Sequence, residues 1–352
     1  MLKSIHLDSF RSYSKNSFDL NSQTIIISGP NTSGKTNILE AIFLGATGKS
    51  FRTPSDQETI KHEKDYARVE LLVDDETELE ILLTRGNLYG RKVASKKYFV
   101  NKIPRRAIDF AGRFKVSLFW PEDLALIINS PSTRRRYLDF VLSQTDREYH
   151  RNLRLYEKGV RARNRLLYKI KEGEATPDQL PYWDDLIINS GSYLSKQREE
   201  FINFINLNED PIKNKSFSIV YDHSKISKER LKQYEKEEVM ATNTLVGPHR
   251  DDLKFEIRNS KFEIKRNLAH FGSRGEQRLG VLWLKLNELL YIEKKTGSKP
   301  ILLLDDIFSE LDKDNRHMIF SIVKNHQTII TTAELDLVDR KFLKEAKVIK
   351  LT

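Results

Sequence analysis

Residues Gly29-Pro30-Asn31-Thr32-Ser33-Gly34-Lys35-Thr36 fit the pattern G-x-x-x-x-G-K-[ST] without a gap, and this stretch constrains the chain more than any other. Thr24-Ile25-Ile26-Ile27-Ser28 before it is a β-branched run of the length of a buried parallel strand. Asn37-Ile38-Leu39-Glu40-Ala41-Ile42-Phe43-Leu44 after it reads as a helix. Strand, glycine-rich loop and helix in that order require an α/β core with a parallel sheet.

The chemistry of such a loop follows from its backbone. N–H groups and the positive end of the following helix face the enclosed space and suit phosphate. Gly29 and Gly34 stand where side chains would block it, and Lys35 reaches the β and γ phosphates of a nucleotide. Thr36 offers a hydroxyl to Mg²⁺. Pro30, Asn31, Thr32 and Ser33 complete the cradle. Far downstream, Leu302-Leu303-Leu304-Asp305-Asp306 is an apolar strand ending in two carboxylates. In an open α/β sheet such acids lie beside the phosphate loop, where Asp305 can hold Mg²⁺ and Asp306 can polarise water.

The 352 residues exceed one ordinary core and point to about two domains. With no Cys, thiolate metal sites, disulfides and cysteine nucleophiles are excluded. The N-terminus lacks an apolar leader, and no apolar run is long enough to span a membrane, so a soluble cytoplasmic protein is expected. A formal charge of +10 favours polyanionic partners.

Short strands dominate up to about residue 120, and from about 122 to 207 helical spacing takes over. Tyr149, Leu153, Tyr156, Val160, Leu167 and Ile170 form one apolar stripe, and Trp183, Ile187, Leu194, Phe201 and Ile205 a second. Two helices of about 25 residues, each roughly 37 Å long, joined by a short loop, make an antiparallel hairpin. The first carries nine Lys or Arg against two Glu, a net +7. Arg151, Arg154, Lys158, Arg161 and Arg165 recur at helical spacing away from the apolar stripe. A solvated face is the plain explanation of that pattern, and one-sided charge of this density favours contact with a nucleic-acid backbone. Between Arg91 and Arg106 a second basic stretch, free of acids, suits either a solvated hairpin or phosphate contact.

Gly272-Ser273-Arg274-Gly275-Glu276-Gln277-Arg278 resembles the signature motif of ABC-type ATPases, and Ser309-Glu310-Leu311-Asp312 their D-loop. The fold this implies is an α/β ABC-type P-loop ATPase head, of mixed sheets and helices, with an inserted α-helical hairpin lobe. Its expected parts are 1–120, the inserted lobe 121–210, and 211–352. In that class the signature of one subunit, here Ser273 and Gly275, closes on nucleotide held by another.

Within the class the chain is similar to the RecF family nearly end to end. The matching stretches are Phe10-Arg11-Ser12-Tyr13, Lys35 to Ile42, Gly48-Lys49-Ser50-Phe51-Arg52-Thr53, Pro121-Glu122-Asp123-Leu124, Arg134-Arg135-Arg136-Tyr137-Leu138-Asp139 and Gly247-Pro248-His249-Arg250-Asp251-Asp252-Leu253. The resemblance implies an ATP- and Mg²⁺-dependent homodimer that binds DNA at single-strand gaps, has weak ATPase activity and helps load recombinase with RecO and RecR. SMC-type ATPases need an arm far longer than this hairpin, and a transporter subunit would lack both the basic hairpin and the Gly247 to Leu253 motif.

Some positions depart from the family pattern. Thr32 stands where Gly is usual, Lys49 replaces Arg, and Arg274 and Glu276 alter the signature. Beside an incoming γ-phosphate, Glu276 is a poorer electrostatic fit than Gln. Asp306 occupies the place of the Glu of faster ABC ATPases, consistent with slow hydrolysis, and Thr331 or Thr332 replaces a switch His.

Overall fold

The computed structural model describes residues 1–74, 76–88, 90–208, 216–258, 265–309, 316, 319, 323–338 and 340–352. It divides into two compact units, Met1–Asp123 with Ile292–Thr352, and Leu124–Tyr291.

The first unit is built on a five-stranded parallel sheet in the order Val116–Phe119, Ile301–Asp305, Thr328–Thr332, Thr24–Ser28, Lys347–Lys350. Its three central strands, Ile-Leu-Leu-Leu-Asp, Thr-Ile-Ile-Thr-Thr and Thr-Ile-Ile-Ile-Ser, are buried at every position. Uninterrupted apolar and β-branched runs are what a parallel sheet covered on both faces demands. A six-stranded antiparallel sheet runs Tyr13–Asp19, Leu2–Phe10, Tyr66–Val73, Thr77–Thr84, Lys96–Val100, Ile103–Arg105. Here burial alternates along Tyr66–Val73 and Thr77–Thr84, so one face is packed and the other wet. The helix Lys35–Thr47 contacts strands of both sheets and is buried at ten consecutive-in-space positions around its circumference, including Ile38, Leu39, Ile42, Phe43 and Leu44. A helix apolar nearly all round belongs between two layers, and its first turn is thereby fixed relative to the parallel sheet.

The second unit contains the hairpin, with helices Arg147–Lys171 and Pro181–Leu207. Asp146 starts the first helix by accepting the Glu148 N–H at 2.8 Å, and Pro181 occupies the first position of the second. The helices approach closely at Gly159, where an added Cβ would lie 2.7 Å from Ile187 Cγ2. This unit is larger than the lobe expected at 121–210, because residues beyond 210 pack onto the hairpin. The antiparallel strands Ser216–Asp222, Asp252–Arg258 and Lys265–Asn267 form a sheet whose first strand contacts the helix Pro181–Leu207. The helix Pro131–Thr145 meets the strand Asp252–Arg258.

Buried ion pairs lock that packing. Arg198, 2% exposed, donates to Asp139 Oδ1 at 2.9 Å, Asp251 Oδ2 at 2.9 Å and Pro248 O at 2.7 Å. Arg134 is bidentate to Asp252 at 2.6 and 3.1 Å, and Arg135 donates to Asp251 O at 2.8 Å. The motifs Arg134 to Asp139 and Gly247 to Leu253, far apart in sequence, are thus two sides of one charged contact. Neutralised buried charges tolerate no loss of a partner, which accounts for the specificity of both motifs.

Candidate nucleotide site

The strand Thr24–Ser28 delivers the chain into the loop, and Gly34, at φ 96°, turns it into the helix Lys35–Thr47. A Cβ on Gly34 would lie 2.8 Å from Tyr13 Oη and 2.9 Å from Ser12 Oγ, so space as well as dihedral requires glycine. Lys35 Nζ donates to Gly29 O at 2.7 Å and Pro30 O at 2.8 Å, which holds the ammonium across the loop mouth. Ser33 Oγ is buried in the loop without a hydrogen-bond partner. An orphaned hydroxyl, a helix start with unpaired N–H groups and a fixed ammonium together fit a phosphate chain.

The loop meets the end of the strand Ile301–Asp305. Thr36 Oγ1 donates to Asp305 Oδ1 and Oδ2, both at 2.9 Å, and Thr331 Oγ1 donates to Asp305 Oδ1 at 2.6 Å. Burial raises the Asp305 carboxyl above the ordinary carboxylate range, against the pull of the Thr331 and Thr36 hydroxyls and of the Arg52 and Lys35 charges. Asp306 follows at φ 48°, its N–H donating to Thr331 O at 3.1 Å. Its carboxyl is raised as well, by burial and by the neighbouring Asp305 charge. A buried carboxylate and a hydroxyl at 2.9 Å form a hard-oxygen pair of the kind Mg²⁺ takes. Thr331, one of the two threonines named for the switch position, thus orients Asp305.

A second layer, which the residue pattern did not reveal, braces the loop. Glu40, fully buried in the loop's helix, accepts from Arg11 Nε at 2.8 Å, Arg11 Nη2 at 2.6 Å and Ser50 Oγ at 2.6 Å. Arg52 Nη1 donates to Asn37 Oδ1 at 3.0 Å, and Asn37 Nδ2 to Ser12 Oγ at 3.0 Å. Tyr13 Oη donates to Gly34 O at 3.2 Å. The stretches Phe10 to Tyr13 and Gly48 to Thr53 therefore converge on the loop and its first turn. The available signal was Glu40 itself, an acid flanked in sequence by Ile38, Leu39, Ala41 and Ile42.

Thr32 adopts φ 74°, a left-handed conformation that a β-branched residue enters only under strain. Ser273 and Gly275 belong to the second unit, at the start of the helix Arg274–Thr296. Both are exposed, and a Cβ built on Gly275 would meet nothing within 4 Å. Ser273 N–H and Oγ donate to Glu276 Oε2 at 2.9 and 3.1 Å, and Glu276 N–H donates to Ser273 Oγ at 3.2 Å. The Ser-x-x-Glu spacing of a capping box was the sequence signal for this closure. Of the D-loop, Glu310, Leu311 and Asp312 lie outside the described residues.

Arg151, Arg154, Lys158, Arg161 and Arg165 are all exposed along one helix. Arg151 lies 3.6 Å from Glu148 and Arg161 4.0 Å from Glu157, long pairs that leave most of the positive charge uncompensated. Arg163 of the same helix is instead buried, paired with Asp184 at 2.6 Å and Glu238 at 2.7 Å. In the stretch 91–106, Lys96 turns inward to Gly48 O and Asp56 Oδ2, both at 2.5 Å, and only its neighbours remain for outside contacts.

Parallel sheet, phosphate loop and strand-end carboxylates define an ABC-type P-loop ATPase head. The family described as RecF/RecN/SMC N terminal domain matches residues 1–350. The DNA replication and repair protein RecF of Agathobacter rectalis is 35% identical over 96% of this chain and 93% of its own. A solved structure of the recombination mediator protein RecF-ATP in the RecFOR pathway superposes with a TM-score of 0.84 at 31% identity, covering 96% of this chain and 93% of that one. An Smc head bound to the C-winged helix domain of ScpA shares the fold, with a TM-score of 0.52 at 17% identity over 99% of this chain and 93% of its own. The chain belongs to the RecF family. Among the described residues no helix is long and apolar enough to cross a membrane.

Proposed function

We propose that this chain is an ATP-dependent DNA-binding protein of recombinational repair that works in the cytoplasm. The observation that carries the reading is the pairing of Thr36 with Asp305 at 2.9 Å, which joins a complete phosphate loop to a strand-end carboxylate. Gly29 to Thr36 cradle the phosphates of ATP, with Lys35 supplying charge to the β and γ groups. Thr36 and Asp305 are the residues that would hold Mg²⁺, which when bound would supply neutralisation of developing phosphate charge. Asp306 orients the attacking water; its short side chain holds that water loosely, in keeping with weak ATPase activity.

Two copies associate head to tail around ATP, with Ser273 and Gly275 of each donating to the γ-phosphate held by the other. The face formed by Arg151, Arg154, Lys158, Arg161 and Arg165 contacts DNA phosphates without reading sequence. Family membership supports action at single-strand gaps, with RecR and RecO as partners in loading recombinase. Sedimentation of the chain with and without ATP and duplex DNA tests these parts together. ATP-dependent dimers on DNA are expected, and they disappear in Ser273→Arg. A monomer that ignores both ligands would refute the reading.

A further inference from the structure

The helix Arg274–Thr296 carries an anion of its own at the end where the proposed function brings phosphate. Its 23 residues give its N-terminus about half a unit of positive charge. Glu276 Oε2 already takes both donors of Ser273, the N–H at 2.9 Å and the hydroxyl at 3.1 Å. Glu276 N–H returns a bond to Ser273 Oγ at 3.2 Å, closing a reciprocal ring. The ring is exposed at Ser273, and the adjacent Gly275 is open to approach.

We infer that Glu276 is an internal stand-in for the γ-phosphate, which holds Ser273 closed until nucleotide carried by a second copy of the chain displaces it. The inference rests on the reading that the signature of one copy meets the nucleotide of the other. A carboxylate and a phosphate need the same two donors of Ser273, so they cannot both be served. A carboxylate left beside the arriving phosphate also repels it, and in a partly desolvated contact that repulsion is screened poorly. A head-to-tail pair contains the conflict twice. Glu276 is therefore a positioning residue that sets the threshold for association, without touching nucleotide in the single chain.

A purely structural cap predicts something else. Gln fills the third position of a capping box as Glu does, so Glu276→Gln would then be neutral. The two accounts separate in sedimentation equilibrium of the full chain with Mg²⁺ and ATP. Glu276→Gln is expected to tighten the dimer by about tenfold or more relative to the parent. Added salt should narrow the gap between the two, because only the parent carries the repulsion. Glu276→Gln dimers equal to or weaker than the parent's overturn the inference. Ser273→Arg distinguishes the two levels of failure. If Ser273→Arg abolishes dimers while Glu276→Gln matches the parent, Glu276 has no such role and the signature reading stands. If Ser273→Arg dimerises as the parent does, the signature reading fails and takes this inference with it.

Discussion

Thr36 and Asp305, 269 positions apart in the chain, are joined by hydrogen bonds of 2.9 Å to both carboxylate oxygens. The parallel sheet makes this possible. The strand ending at Asp305 and the strand feeding the loop flank Thr328–Thr332, whose Thr331 donates to the same carboxylate. The Thr36 and Thr331 hydroxyls carry part of the carboxylate's solvation.

On the proposed reading, Asp305→Asn removes the charge that would hold Mg²⁺, and Asp306→Asn removes the group that would orient water. In Asp305→Asn, ATP affinity should fall about tenfold in Mg²⁺ and lose its dependence on the metal, from the loss of one charge-assisted contact. Asp306→Asn should bind ATP as the parent does but hydrolyse it about a hundredfold more slowly, as expected when a water-orienting base is lost. Titration in Mg²⁺ and in chelator, with a phosphate-release assay, separates the two.

Thr32 at φ 74° stores strain in the loop. A left-handed conformation costs a side-chain-bearing residue about 1–2 kcal/mol, while glycine costs about 0.5–1 kcal/mol more chain entropy than alanine. Thr32→Gly should therefore stabilise the chain by up to about 1 kcal/mol in denaturant unfolding. A loss of stability would show that the threonine is held without strain.

His249 sits between Tyr156 Oη, 2.6 Å from Nδ1, and Thr244 O, 2.9 Å from Nε2. The carbonyl can only accept, so Nε2 carries the proton and Nδ1 accepts from the tyrosine. Burial pushes the imidazole down to about 4, with the Arg250 charge acting the same way. The unfolded chain protonates first, near 6.5, so stability falls as the pH drops from about 6.5 to about 4, by at most about 3 kcal/mol. Above 6.5 His249 contributes no pH dependence. His249→Gln should flatten this part of the stability profile, as chemical denaturation across pH would show.

The loop, its strand and helix, both hairpin helices and the strand-end acids were legible because each announces itself locally, by glycine spacing or by period. Arg198 and Glu40 were not. Glu40 is a charge flanked by apolar residues and Arg198 one among other charges, and the meaning of each lies in partners such as Arg11 and Asp251 that only the fold brings near. The extent of the second unit was hidden for the same reason: the strands Ser216–Asp222 and Asp252–Arg258 look like a return to the first sheet system, and their buried Phe217, Ile219, Leu253, Phe255 and Ile257 do not say which helices they meet.

Neutralising Arg154, Lys158 and Arg161 together tests the exposed basic face. Duplex affinity should fall on all sequences alike, and the slope of log affinity against log salt should flatten by up to about three, at about 0.9 per phosphate contact. ATP binding, which belongs to the other unit, should persist. An unchanged slope would leave the stripe as a solvated face and turn attention to Arg91, Lys92, Lys97, Lys102, Arg105 and Arg106.

Calorimetric titration of ATP with Mg²⁺ into the parent and into Lys35→Ala tests the central claim most directly. Lys35 Nζ is held at 2.7 and 2.8 Å by the loop's own carbonyls, and the proposed reading has it meet phosphate there. The parent should bind one ATP per chain, and Lys35→Ala should bind about 10- to 100-fold more weakly, the loss of a charge-assisted hydrogen bond. Equal affinity in the two proteins would contradict the assignment of this loop as the nucleotide site.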